Sequence, residues 1–145
     1  MQTKQFSGWI TAVGYLFGAG LVFIGGRFLL APEVAERGYG LVFDQPTNAF
    51  HYIKGIRDVF SGLLFIGFTA ARWYKPLGSV TLAGSLIPIV DMLIVLSDPH
   101  AVAGSEWIHG GTAIALWVYG YVLFRNERST HQPQFEHTIT HRQGQ

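Results

Sequence analysis

Residues 77–96 read LGSVTLAGSLIPIVDMLIVL, an apolar run broken by one carboxylate, Asp91. About 20 residues rising about 1.5 Å each cover about 30 Å, the thickness of a bilayer's hydrocarbon core. The run therefore predicts a membrane-spanning helix. A lone charge at that depth costs several kcal/mol unless another helix supplies a partner, which makes Asp91 a functional-site candidate by default.

Working outward, similar stretches run from Trp9 to Leu30 and from Trp107 to Phe124. The first is too long, and too interrupted by Arg27, to read as a cleaved signal peptide. A further apolar run, Val59 to Ala71, covers only about 20 Å. To cross, its helix must begin near Ile53 and carry Lys54, Arg57 and Asp58 with it. Just upstream, Pro46-Thr47-Asn48 offers a cap at Thr47 or Asn48. The expected fold is all-α: a four-transmembrane-helix bundle with short loops. Its helices fall near residues 9–30, 53–72, 77–97 and 105–124, within one membrane domain over 1–125. The Ala31–Pro46 connection, which begins Ala-Pro-Glu, has room for a short interfacial helix. Residues 126–145 form a polar tail with Pro133 and no apolar period, expected to be flexible.

Composition agrees. The 145 residues are 49% hydrophobic and 13% charged, against roughly 25% charged in an average soluble domain. A formal net charge of +1 gives no reason to expect a nucleic-acid partner. The absence of cysteine rules out disulfides, thiol nucleophiles and thiolate metal sites. Lys4, Arg72, Lys75, Arg125, Arg128 and Arg142 lie on one side of the expected bundle, and Arg27, Arg37, Lys54 and Arg57 on the other or within helices. By the positive-inside rule both termini face the cytoplasm.

That topology sets Arg27, Arg57, Asp58, Asp91 and His109 in the same outer third of the bilayer. Faces agree with depth. Lys54, Arg57, Asp58 and Ser61 follow i, i+3, i+4, i+7, as do Gly84, Ser85, Pro88 and Asp91, and Glu106, His109, Gly110 and Ala113. Such stripes turn towards neighbouring helices, because facing lipid tails is costly. Pro88 removes the amide that would bond the Gly84 carbonyl, leaving Ser85 or a water as the expected donor. A hydrated or ligand-filled cavity is favoured over a dry seam. Gly14, Gly18 and Gly25 make a small-residue stripe suited to close packing, here within the monomer; a homo-oligomer is left open.

Two uses of the polar layer compete. A satisfied charge network fixes how helices dock. Alternatively, an underpaired carboxylate acts as acid or base: Asp91 or Asp58 in that role, Arg57 stabilising negative charge, and His109 orienting or shuttling a proton. Lys54, Glu106, Ser85 and Arg27 are then expected to contact substrate. Glu106-x-x-His109 has the spacing of di-iron carboxylate helices but occurs once, where such sites need two. Zinc needs three or four ligands, and only His109, Glu106, Asp91 and His51 could be recruited. No metal or cofactor is expected. Trp9, Trp73, Tyr74, Trp107, Tyr119 and Tyr121 mostly flank the spans and read as interface anchors.

Lys54-Gly55-Ile56-Arg57-Asp58, Pro88 with Asp91, and His109-Gly110-Gly111 together make the chain resemble the small integral-membrane proteins of the domain of unknown function 4267 family, over roughly residues 10 to 125. The resemblance implies a four-helix membrane domain and supplies no activity. The reading that joins these observations is a bilayer protein with an outward-side polar pocket that binds, and in an enzymatic version transforms, a small lipophilic molecule. Isomerisation, cyclisation or hydration would suit a cofactor-free site. The rival reading is a non-catalytic subunit or scaffold. A proton-coupled carrier is disfavoured, because four helices without a repeat are few for alternating access.

Overall fold

The computed structural model describes residues 8–41 and 48–128, and these residues are all-helical, without strands. The helices are α1 (Gly8–Leu30), α2 (Pro32–Tyr39), α3 (Asn48–Ala70), α4 (Tyr74–Gly84), α5 (Leu86–Ser97) and α6 (Ser105–Arg128). Three helical stretches are long and apolar enough to cross a membrane: Gly8–Leu30, Tyr74–Ser97 and Ser105–Asn126. α3 has comparable length, 23 residues, but Lys54, Arg57 and Asp58 lower its apolarity.

Several boundaries differ from the sequence expectation. α3 begins at Asn48 rather than near Ile53, so the charged stripe sits in its second and third turns. The expected cap at Thr47 lies outside the described residues. α6 runs to Arg128, past the expected tail boundary at 125, and the tail from Ser129 onward lies outside the described residues. The third span starts earlier, at Tyr74, and is interrupted at Ser85 between α4 and α5. Pro88 explains the interruption, since it has no N–H for the Gly84 carbonyl. Ser85 is not the substitute donor. Its hydroxyl donates to Leu82 O at 2.7 Å and accepts from Trp117 Nε1 at 2.7 Å.

The turns are set by backbone chemistry. After α3, Trp73 N–H bonds Phe68 O at 2.9 Å and Arg72 N–H bonds Thr69 O at 3.1 Å, a Schellman cap with Arg72 in the left-handed position (φ 57°). α2, started by Pro32 in its first turn, ends at Gly40 with φ 108°. Gly40 also gives its carbonyl to Val102 N–H at 2.9 Å, tying α2 to the loop before α6. A Cβ on Gly40 would run into the Ser105 side chain. Gly40→Ala is therefore expected to cost about 2–3 kcal/mol, combining left-handed strain with overpacking. Thermal melting of the purified protein checks this, and an unchanged midpoint would contradict it.

The helices pair into two units. α1 lies antiparallel on α3 along most of its length, and α6 packs on α4 and α5. Two reciprocal glycine pairs seat α1 on α3. A Cβ on Gly62 would come within 2.5 Å of Gly18 O, and one on Gly18 within 3.0 Å of Gly62 O; Gly25 and Gly55 repeat the same 2.5 and 3.0 Å approaches one heptad away. The α1 stripe is thus spent inside the monomer. Gly14 completes it against Thr69 and Tyr119.

The units join at one end through Ile10, Phe65, Tyr74, Leu77, Leu116, Tyr119 and Leu123. At the other end Phe28, Ala35, Tyr39, Leu41 and Val95 form a second cluster under α2. Tyr74 and Tyr119, expected as interface anchors, are core residues at 6% and 3% exposure. Tyr119 donates to Ile10 O at 2.9 Å and the Tyr74 hydroxyl lies 3.0 Å from Thr11 Oγ1, so each phenol satisfies its oxygen inside. Trp9, Trp73, Trp107 and Tyr121 are exposed.

Candidate functional site

Between the two units, beneath α2, lies a cavity of about 300 Å³. Leu21, Phe65, Val80, Ile87 and Leu116 supply apolar wall, while Lys54, Asp58, Asp91, His109 and Arg27 supply ionisable groups. The stripe on α3 explains part of this placement: with α1 seated by glycines on one side, the charged side faces the second unit. The break at Ser85 does the rest, since α5 then carries Asp91 towards α3.

Lys54 is the centre of the arrangement. Its Nζ lies 3.0 Å from Asp58 Oδ2 and 3.3 Å from Asp91 Oδ2. Arg57 reaches the same two carboxylates, with Nε 3.2 Å from Asp58 Oδ1 and a terminal nitrogen 3.4 Å from Asp91 Oδ2. Lys54, Asp58 and Asp91 are buried, at 7%, 4% and 6% exposure. Above them the Lys54 ammonium sits 4.8 Å from the Tyr39 ring centroid and 5.2 Å from that of Phe28, close enough for cation–π attraction. Two cations and two carboxylates balance. Both oxygens of Asp58 are occupied, whereas Asp91 receives both cations on Oδ2 and no hydrogen bond or ion pair closes on its Oδ1 among the described residues.

His109 lines the same cavity but pairs with neither carboxylate. Its Nε2 is 2.8 Å from Tyr39 O. A carbonyl only accepts, so Nε2 carries the proton and Nδ1 of the neutral ring is left as an acceptor. The ring also meets Tyr39 edge-on at 4.7 Å between centroids. The buried Tyr39 hydroxyl approaches Asp91 without closing a hydrogen bond. Burial first, and then the Asp91 charge, push this phenol well above its ordinary range. Tyr39 therefore stays protonated and available as a donor.

The other sequence candidates divide. Arg27 lines the cavity and donates to Val34 O at 3.3 Å. Ser85 is buried but held by Leu82 and Trp117, and it does not line the cavity. Neither does Glu106, one turn from His109 on the helix. It starts α6, where an acidic side chain suits the positive end of the helix dipole. The sequence reading overlooked Glu36 and Tyr39 of α2. Glu36 Oε2 lies 2.9 Å from His51 Nε2, a buried link between α2 and α3. One signal was available: Glu36 and Tyr39 fall three residues apart, on one face of a strongly amphipathic helix. Among the described residues, no three of His, Asp and Glu are gathered as a ligand set for a metal.

Fold and site together define an all-helical protein of membrane character, with ion-paired side chains buried between helices. Residues 18–123 match the family described as a domain of unknown function (DUF4267), and the chain belongs to that family. No curated protein and no solved structure matches it.

Proposed function

We propose that this chain is a four-span membrane protein that holds a small lipophilic molecule in the cavity between its two helix pairs. α3 is the fourth span, and both termini lie on the cytoplasmic side. At about 1.5 Å per residue α3 is about 35 Å long, sufficient to cross. Lys54 and Asp58 turn to the cavity and to Asp91, and Arg57, with its side chain 36% exposed, reaches back to the same two carboxylates. The observation that carries the binding reading is the pairing of aliphatic walls with open polar atoms. Among the described residues no hydrogen bond closes on His109 Nδ1 or Asp91 Oδ1, and the buried Tyr39 hydroxyl approaches Asp91 without closing one, where such groups are costly to leave unmet. A ligand with a polar end satisfies them.

In an enzymatic version of this reading, the ion pairing shifts the acid/base role. Asp58 has both oxygens engaged, so His109 becomes the base, with Asp91 beside Tyr39 as its polar counterpart. Ser61, a half-buried cavity residue that donates to Arg57 O, offers the test. Ser61→Phe fills the space without touching a charge. Protein purified in mild detergent should carry a small organic molecule, seen by native mass spectrometry, and Ser61→Phe should lose it while still folding. His109→Gln keeps an N–H for Tyr39 O but removes the basic nitrogen; retained ligand with lost turnover would support chemistry.

A scaffold reading is favoured by a different observation, the exact charge balance of Lys54, Arg57, Asp58 and Asp91. If wild type carries nothing and Ser61→Phe is functionally silent in cells, docking of helices is the whole role of these residues.

A further inference from the structure

Arg27 stands apart from the ion-paired quartet of Lys54, Arg57, Asp58 and Asp91. Lys54 and Arg57 are matched by Asp58 and Asp91, and Glu36, the buried acid of α2, is taken by His51. Among the described residues Arg27 makes one hydrogen bond, to Val34 O, and it stands 6.0 Å from the Phe23 ring centroid. No carboxylate pairs with it among the described residues, although it is half-buried and lines the cavity. A guanidinium has five N–H donors, so four remain.

The position of Arg27 matters as much as its charge. Ile24, one turn earlier on α1, lines the cavity and is 44% exposed; Ile108 of α6 lines it and is 59% exposed. Residues that are at once wall and outer surface mark a mouth. α1 and α6 meet around Tyr119, where Phe17 packs on its ring, but at the level of Ile24 and Ile108 the cavity stands between them. That mouth is apolar, facing the surface the lipid tails would cover, with the unpaired guanidinium at its rim.

We propose that the occupant is a single-chain lipophilic anion that enters between α1 and α6, its tail in the cavity and its charged end on Arg27. This rests on the binding reading above and narrows it to a charge class. An anion takes charge-assisted bidentate hydrogen bonds from the guanidinium, which a neutral molecule cannot do. A volume of about 300 Å³ has room for roughly ten methylene-sized groups at about 30 Å³ each, the liquid share of a water of similar size. Both a carboxylate and a phosphate monoester carry the required head.

Full-length protein in detergent is titrated with decanoate, decyl phosphate, decanol and decylammonium, with bound equivalents read by native mass spectrometry. At least one of the two anions should bind at one equivalent, about tenfold or more tighter than decanol, as charge-assisted hydrogen bonds imply. The stronger anion identifies the head. Arg27→Gln should reduce that anion to the level of decanol, and Arg27→Lys should restore part of the difference. Decanol or decylammonium binding as well as the anions, or Arg27→Gln leaving anion affinity unchanged, overturns the assignment while the cavity remains a binding site. If none of the four binds, the binding reading fails with it.

Discussion

Lys54→Met is expected to destabilise the folded chain by about 3–5 kcal/mol, the usual cost of removing one partner from a buried ion pair. Methionine retains much of the length and the apolar stem of lysine, so packing is nearly preserved. What changes is that Asp58 and Asp91 lose the ammonium 3.0 and 3.3 Å away and keep only Arg57, whose side chain is 36% exposed. Since whole domains are stable by about 5–15 kcal/mol, the loss should appear as a sharp fall in the melting temperature in detergent. Removing a charge of each sign should be far milder. Lys54→Met with Asp91→Asn leaves Arg57 paired to Asp58 and is expected to recover at least half of the loss. A single variant that melts with wild type, or a double variant worse than the single, would show that the quartet does not hold α3 to α5.

Gly62→Leu should be comparably damaging, at about 3 kcal/mol or more, since it overpacks a contact between two backbones. A Cβ there lies 2.5 Å from Gly18 O and 2.8 Å from Val22 N. Backbone atoms cannot change rotamer, so the helices must separate. Separation also displaces Lys54 and Asp58, on the same helix, relative to Asp91 of α5, so the variant should lose any cavity ligand as well as stability. Gly67→Leu on the same helix is the control: nothing lies within 4 Å of a Cβ at that position. It should melt like wild type. Equal behaviour of the two leucine variants would mean that the glycine seats do not set the spacing of α1 and α3.

The membrane character was legible because it follows from length and apolarity, which need no partner to interpret. Asp91 could be flagged for the same reason: a carboxylate in such a run must be paired. Pro88 marked an unmet carbonyl at Gly84, but the span was expected to run unbroken through Ser85, where it is interrupted. Ser85 turned to Leu82 and Trp117, because a hydroxyl bonds the nearest suitable carbonyl on its own turn. Glu106 shared a helical stripe with His109, yet a stripe spans a range of angles and the cavity takes in only part of it. Gly14, Gly18 and Gly25 announced close packing but could not name their partner. The reciprocal seats Gly55 and Gly62 lie on a helix whose charges dominated its reading.

What the residues alone determined about this chain is the type of element and the level of its charges, since helix period and the cost of a charge in hydrocarbon are local properties. Only the tertiary structure decided who pairs with whom. It made Lys54 the hub, gave His109 to the Tyr39 carbonyl, folded α2 over the site and left Arg27 without a carboxylate partner among the described residues. Those outcomes depend on the angle at which α5 leaves Ser85 and on the depth at which glycines seat α1 on α3. Both are set by contacts between residues far apart in the chain, and no periodicity along one helix encodes them.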